Sequence, residues 1–497
     1  MQLQFERKPC KYLRRVVWET KEQEQTQEVR LPEGMPDIGN ILGAWGQPLM
    51  RGKEWNSDSI ATSGGVMAWV LYAPADGSAP RMVEVWLPVS MKWSMTGAEK
   101  MGTIRCNWML KGVDGRVLSA RKLMVRANVS VLAEALEPWE EELSVAAQVP
   151  EDVQVLANTY PARLSAEAGE KAFLMDEELT FSAGEPMPER LISVTMTPEL
   201  TEQKVLGGKG VFRGNGNFRI LYQDGEGRLH SRCHQAAFSQ LADLDRDHEK
   251  DAELTVVLAL SSLEPELTEG RLRLKCGMVA QYEVTELQML ELTEDAYSPA
   301  RKVSAEVSQL RLPLVLDRRQ ELGRFVSSMD GSGRVVDVSV TTEQPVLRRT
   351  GEVCELACGG QAQVLYYDDA DCLQGRSGRW TTAWELPISP DAELLSMVVA
   401  MPEPQVSINA GQLQVNGEVT MEVRAVAQSP LNMVTGLELG ENRRPDPGRP
   451  SLILRRAGEG SLWDLAKATG STVSAIRSAN GLESDPLDDR LLLSPVV

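Results

Sequence analysis

The chain has 497 residues, 42% of them hydrophobic, which is enough for about three or four domains with buried cores and too apolar for a disordered polymer. Fifty-two basic residues against 71 acidic ones leave a formal net charge of −19. That surplus repels a phosphate backbone and argues against nucleic acid as a partner.

The N-terminal stretch "MQLQFERKPCKYLRRVVWETKEQE" is basic and then acidic, and it lacks the apolar core of about seven to fifteen residues that an export signal carries. The longest apolar run, "LTVVLALSSL" at Leu254 to Leu263, is about half of the roughly 20 residues that a membrane-spanning helix needs. It is expected to be a buried strand, and no transmembrane segment is predicted. Seven cysteines are scattered at 10, 106, 233, 276, 354, 358 and 372, an odd number in a long chain with little need of staples. Free thiols in a reducing compartment are the expectation.

In chain order, three segments share one pattern: "GGVMAWVLYAPADGSAPRMVEVWLPVS" from Gly64, "GNGNFRILYQDGEGRLHSRCHQAAFS" from Gly214 and "CGGQAQVLYYDDADCLQGRSGRWTTAWELPIS" from Cys358. Apolar residues fall at alternate positions: Ala68, Val70 and Tyr72; Phe218, Ile220 and Tyr222; Ala362, Val364 and Tyr366. The positions between them are partly polar in the later copies (Asn217, Arg219, Gln361, Gln363), as expected of a strand with one buried face. A turn rich in Asp and Gly follows, and then a second strand, so each segment reads as a hairpin.

Two further anchors support a long-period repeat. Upstream, Pro36 and Pro186 each lie thirty-six residues before the hairpin tyrosine, and the third copy lacks this motif, reading "DGSGRVVDVSV" from Asp330. Downstream, Gly115, Gly270 and Gly411 open similar strands. The expected architecture is mainly β: three tandem β-rich, sandwich-like repeats at 1–147, 148–297 and 298–440, then a short solvated linker at 441–450 ("ENRRPDPGRP").

The last segment, 451–497, changes character. "SLILRR" reads as a strand, and "GSLWDLAKATG" as an amphipathic helix capped by Ser461 and Gly470, with Leu462, Leu465 and Ala466 inward. "STVSAIRSANGL" reads as a second helix with Val473, Ile476 and Ala479 inward and a stop at Asn480 and Gly481. "DRLLLSP" closes as a strand, giving a βααβ unit. With five basic and six acidic residues this unit is nearly neutral, so the acidity belongs to the repeats.

This order, with Gly458, the "SLWDLA" core, the Gly-Ser-Thr-Val passage and the "ANGL" exit, resembles the LysM domain. Two loops depart from the LysM pattern: "AGEGS" replaces the usual Gly-Asp-Ser/Thr turn, and "LDDR" stands where Gly-Gln is common. Taken with "LPEGMPDIGNIL" at Leu31 and the "VLY" hairpins, the whole chain resembles the spore-coat morphogenetic family that joins tandem SPOCS domains to a C-terminal LysM, of the SipL type and more distantly the SpoVID type. The resemblance implies a non-enzymatic scaffold in the mother-cell cytoplasm, linking the coat to the forespore surface by binding a SpoIVA-like basal-layer ATPase, with the LysM as the main contact, and other coat proteins. The departing loops Gly458, Glu459, Gly460 and Ser461, with Asp485, Leu487 and Arg490, form the expected contact edge. The alternative is a wall protein whose LysM grips the N-acetylglucosamine chains of peptidoglycan through the same edge.

Candidate chemistry is sparse. His230, His234 and His248 fall in one stretch, but on a strand His230 and His234 share a face that Cys233 does not, so exposed hairpin residues are expected rather than zinc. Cys354, Cys358 and Cys372 lack Cys-x2-Cys spacing, and buried free thiols are expected. "LGGKGVFRGNGN" feeds a strand and lacks a phosphate-loop pattern. No nucleophile and base motif is legible, and neither metal nor cofactor is predicted. Trp463 is expected to pack against the strands of its own unit.

Overall fold

The structure, a computed structural model, describes residues 2–496 apart from 4, 148, 183, 313, 352, 388–391, 402, 428–429, 444–447, 449, 457–460 and 484–490. It is mainly β, 75% strand and 4% helical, in several small antiparallel sheets. After a two-residue strand β1 (Gln2–Leu3), six strands follow: β2 (Phe5–Arg30), β3 (Ile38–Trp55), β4 (Ser59–Pro74), β5 (Arg81–Ser94), β6 (Thr103–Ser119) and β7 (Lys122–Ala147). The same set recurs as β8 (Gln154–Thr180), β9 (Arg190–Leu206), β10 (Lys209–Gln223), β11 (Leu229–Asp243), β12 (Glu253–Thr268) and β13 (Arg271–Tyr297).

In each set the long last strand pairs with the long first strand on one side and with the fifth on the other, while the second, third and fourth form another sheet, giving the orders β2-β7-β6 with β3-β4-β5 and β12-β13-β8 with β11-β10-β9. The two sheets of a set share one core. Strand β7 shows why: Leu123, Val125, Ala127, Val129, Val131, Ala133 and Ala135 alternate inward with no exposed surface, and each large aliphatic side chain so buried contributes about 1.5–3 kcal/mol.

The third set is broken into shorter pieces: β14 (Arg301–Leu310), β15 (Leu314–Asp330), β16 (Arg334–Val340), β17 (Val346–Thr350), β18 (Val353–Tyr367), β19 (Leu373–Leu386), β20 (Ala392–Ala400), β21 (Gln405–Asn409), β22 (Gln412–Ala427) and β23 (Leu431–Asn442). Pro430, which has no backbone N–H for a ladder, stands just before β23. β23 pairs with β14 on one side and with β1 on the other, so the start of the chain completes a sheet of the third set. The expected linker from 441 begins inside β23.

All nine alternating hairpin residues, from Ala68 to Tyr366, are buried. The glycines that precede them have a common cause. A Cβ would fall 2.1 Å from the Leu49 carbonyl oxygen at Gly64, 2.0 Å from that of Glu199 at Gly214, and 1.9 Å from that of Thr341 at Gly360. The neighbouring strand therefore leaves room only for glycine. The Tyr72 hydroxyl donates to the Pro36 carbonyl at 3.0 Å, which ties together the two anchors of the first copy. In the third copy, where that proline motif is absent, the Tyr366 hydroxyl lies 2.7 Å from the Cβ position of Gly331.

One match needs correction. Gly270 (φ 74°) and Gly411 (φ 79°) sit in the turns before β13 and β22, whereas Gly115 lies inside β6, opposite Val125. It serves close packing there, with Val70 3.0 Å from its Cβ position.

The three sets are not beads on a string. Between the first and second, Gln47 Oε1 accepts from the Met196 amide at 2.8 Å, and Gln281 brackets Cys106 by accepting from its N–H and donating to its carbonyl, both at 2.8 Å. Between the second and third, Arg219 donates to Asp337 at 2.5 Å and to the Val338 carbonyl at 2.9 Å. Between the first and third, Thr341 donates to the Lys111 carbonyl at 2.7 Å, and the Gln363 amide pairs with both backbone groups of Ala44. The polar hairpin positions Arg219 and Gln363 thus face neighbouring repeats rather than solvent. Apolar clusters shared by all three sets lie at two levels: Trp45, Leu71, Leu221 and Leu365 near the hairpin tips, and Tyr12, Leu143, Leu164, Leu292 and Leu310 along the paired ends of the long strands.

Candidate functional site

Where the three repeats meet, charge is buried. Glu134, Glu283 and Arg424 each stand at the twelfth residue beyond the first of β7, β13 and β22, so equivalent positions place two carboxylates and one guanidinium together. Arg105 Nη1 donates to Glu134 at 2.7 Å and to Glu283 at 2.6 Å, and Arg15 reaches Glu134 at 3.0 Å. Arg424 donates to Glu283 at 3.3 Å, to Glu422 at 2.8 Å and to the Thr255 hydroxyl at 3.0 Å. Arg318 extends the network to Glu422 at 2.9 Å and Glu253 at 2.6 Å. Burial alone would push the Glu283 carboxyl up, but Arg424 and Arg105 hold it well below the usual carboxylate range. Burial likewise opposes ionisation of Glu422, and Arg424 and Arg318 overcome it.

Beside this network lies a cavity of about 870 Å³ walled by all three repeats. Trp45, Trp108, Met196, Phe218, Gln361 and Met397 are among its walls. The indole N–H of Trp108 is buried without a hydrogen-bond partner among the described residues. At the mouth, the Cys233 thiol donates to Glu403 at 2.8 Å. Burial, with the Glu403 charge beside it, pushes this thiol up to about 12, so it is a hydrogen-bond donor rather than a nucleophile.

The C-terminal unit comprises β24 (Leu452–Arg456), α1 (Leu462–Thr469), α2 (Val473–Asn480) and β25 (Leu491–Pro495), with β24 and β25 antiparallel. Ser461 caps α1 in a reciprocal capping box with Asp464, Thr472 caps α2, and Gly470 and Gly481 end the two helices in the left-handed conformation. Of the expected contact edge, only Ser461 is among the described residues, and its hydroxyl serves the cap. Gly458, Glu459, Gly460, Asp485, Leu487 and Arg490 lie outside them. Leu462, Ala466 and Ile476 are buried as expected, but Ala479 is exposed.

Trp463 corrects its expectation. It packs edge-on against Tyr297 of the second repeat, with ring centroids 4.8 Å apart, and its indole donates to Asp295 at 2.8 Å. Lys467 pairs with the same carboxylate at 2.7 Å, and the Tyr297 hydroxyl donates to the Ser471 carbonyl at 3.0 Å. Burial first, and then Asp295, push that phenol up to about 12, which keeps it a donor. The unit is therefore docked on the end of β13. Replacing Asp295 with Ala removes the acceptor for two groups, and should weaken docking by about 1–3 kcal/mol. Amide exchange in α1 should then accelerate in the full chain, and unchanged protection would contradict the contact.

One face of β24–β25 packs on the helices through Leu492 and Ser494, both essentially unexposed. The other face is open. Leu452, Leu454, Leu491 and Leu493 are 51%, 56%, 57% and 37% exposed, with Leu454 directly opposite Leu493.

No family model, no curated protein and no solved structure matches the chain. No described helix is long and apolar enough to cross a membrane.

The remaining candidates separate. His230 contacts Asp224 at 2.7 Å in the hairpin turn, while His234 lies 3.9 Å from Glu177. His248 is not an exposed residue: its side chain is fully buried, with Nδ1 2.8 Å from Glu286 and Nε2 3.1 Å from Glu167, which holds the loop before β12 onto β8 and β13. No cluster of three or more His, Cys, Asp or Glu able to hold a metal occurs among the described residues. All seven thiols are free; Cys354 and Cys358 are buried, and Cys372, against expectation, is exposed.

Proposed function

We propose that this chain is a non-enzymatic scaffold of spore-coat assembly, with three SPOCS-like repeats forming the body and a LysM-like unit making the main protein contact with a SpoIVA-like basal-layer ATPase at the forespore surface. The observation that carries this reading is the open leucine face of β24–β25. A face with four exposed leucines, whose register also places Pro495 and Arg456 opposite Leu452 and Leu491, favours a protein partner, whereas a glycan chain needs more hydrogen-bonding groups than leucines supply. The acidic body, docked behind the unit through Asp295 and Tyr297, offers further surfaces, so that modest contacts add through effective concentration.

Removing residues 450–497 should abolish recruitment to the forespore in sporulating cells while the repeats still fold, as read from the imaging of a fluorescent fusion and circular dichroism. Normal localisation of the truncated chain would refute the reading. Saturable pelleting of the full chain with purified peptidoglycan, lost in the truncation, would instead favour the wall protein.

A further inference from the structure

The cavity at the junction of the three repeats has no part in the scaffold reading, and its chemistry selects a ligand. Its volume of about 870 Å³ lies within the roughly 300–1,000 Å³ typical of small-molecule sites. The walls supply ring faces from Trp45, Trp108 and Phe218 and adaptable thioethers from Met50, Met196 and Met397. Ionised groups on the walls are already matched: Arg219 with Asp337 at 2.5 Å, and Glu422 with Arg424 at 2.8 Å and Arg318 at 2.9 Å. Glu199 receives the Asn217 amide at 3.1 Å, and Glu403 the Cys233 thiol at 2.8 Å. The one imidazole on the walls, His234, lies 3.9 Å from the Glu177 carboxylate. An anion would therefore face carboxylates with no unmatched cation to receive it, and its desolvation would go uncompensated. Two ring nitrogens on the walls are buried without a hydrogen-bond partner among the described residues, the Trp108 indole N–H and His234 Nε2, and of these the indole N–H can only donate.

We propose that this cavity binds an uncharged small molecule with an apolar ring surface and a hydrogen-bond acceptor for Trp108. Because its walls come from all three repeats, a bound ligand also holds them together, and its binding energy adds to the stability of the body.

The test uses two fluorescent probes on the full chain: Nile red, which is uncharged and carries a carbonyl, and the anionic 1-anilinonaphthalene-8-sulfonate. Nile red should bind at one site per chain with a blue-shifted emission, and the sulfonate should not compete. Val257→Trp, which fills the cavity from β12, should weaken Nile red at least about tenfold. Trp108→Phe, which keeps the ring but deletes the donor, should weaken it about fivefold. Leu454→Glu should leave binding unchanged, because the leucine face is a separate surface. Urea midpoints identify variants that fold. Failure of Nile red to bind, equal competition by the sulfonate, loss of binding in Leu454→Glu, or unchanged binding in the folded cavity variants would each overturn the proposal.

Discussion

Replacing Glu283 with alanine should cost the folded chain about 3–5 kcal/mol, the range found when one partner of a buried ion pair is removed. The reason is what remains. Arg105 and Arg424 have side chains only 2% and 9% exposed, and both point at the Glu283 carboxylate. Without it, Arg105 keeps only Glu134 and Arg424 only Glu422, and the charge that both guanidinium groups shared is left uncompensated out of water. The three residues come from three different repeats, so the loss should shift the unfolding of the whole body. Equilibrium urea denaturation followed by tryptophan fluorescence and circular dichroism reads both points, and a small transition confined to one repeat would contradict the shared network. The carboxyls of Glu283 and Glu422 are held below their unfolded values, so their contribution is fully present above about pH 4.3 and is lost as the pH falls below it.

Gly214→Ala should destabilise by at least about 2 kcal/mol, among the larger effects of a single methyl group. The added carbon would sit 2.0 Å from the Glu199 carbonyl oxygen and 2.6 Å from the Phe238 ring, and the carbonyl belongs to the paired strand β9 and cannot move without opening the ladder. Gly64→Ala and Gly360→Ala meet the same obstacle, so all three should fall in one range. Gly77→Ala is the control for propensity alone, because its Cβ position is open space in a turn, although its φ of 73° carries a strain of about 1 kcal/mol. Thermal melts of the four variants make the comparison, and equal shifts at Gly77 and Gly214 would remove the steric explanation.

These glycines show how much of the fold was legible. The repeat motif marked Gly64 and Gly214, and alternation placed Tyr72, Tyr222 and Tyr366 inside, because burial of one strand face is written in period two. The same alternation labelled Arg219 and Gln363 polar but could not say what opposes them, and both meet another repeat. The buried network was harder still to read. Equivalent positions carry Glu134, Glu283 and Arg424, residues of opposite charge, so that a search for similarity among the copies passes over them.

In the terminal unit the caps were readable from Ser461, Gly470 and Gly481, since they act within a few residues. The docking of Trp463 on Tyr297 was not, because it joins positions 166 residues apart. The leucine face did leave a signal. Leu452, Ile453 and Leu454, and Leu491, Leu492 and Leu493, are apolar at consecutive positions, and a strand apolar on both faces calls for cover on both. The helices cover one face, and the other is exposed and is the one we propose a partner covers.

The most direct test of that claim is capture of the basal-layer ATPase from sporulating cells by the full chain and by its Leu454→Glu/Leu493→Glu variant. The wild-type chain should retain the ATPase and the variant should lose it at least about tenfold, with the urea midpoint of the body unchanged. Equal capture by both chains would contradict the assignment of the leucine face as the contact.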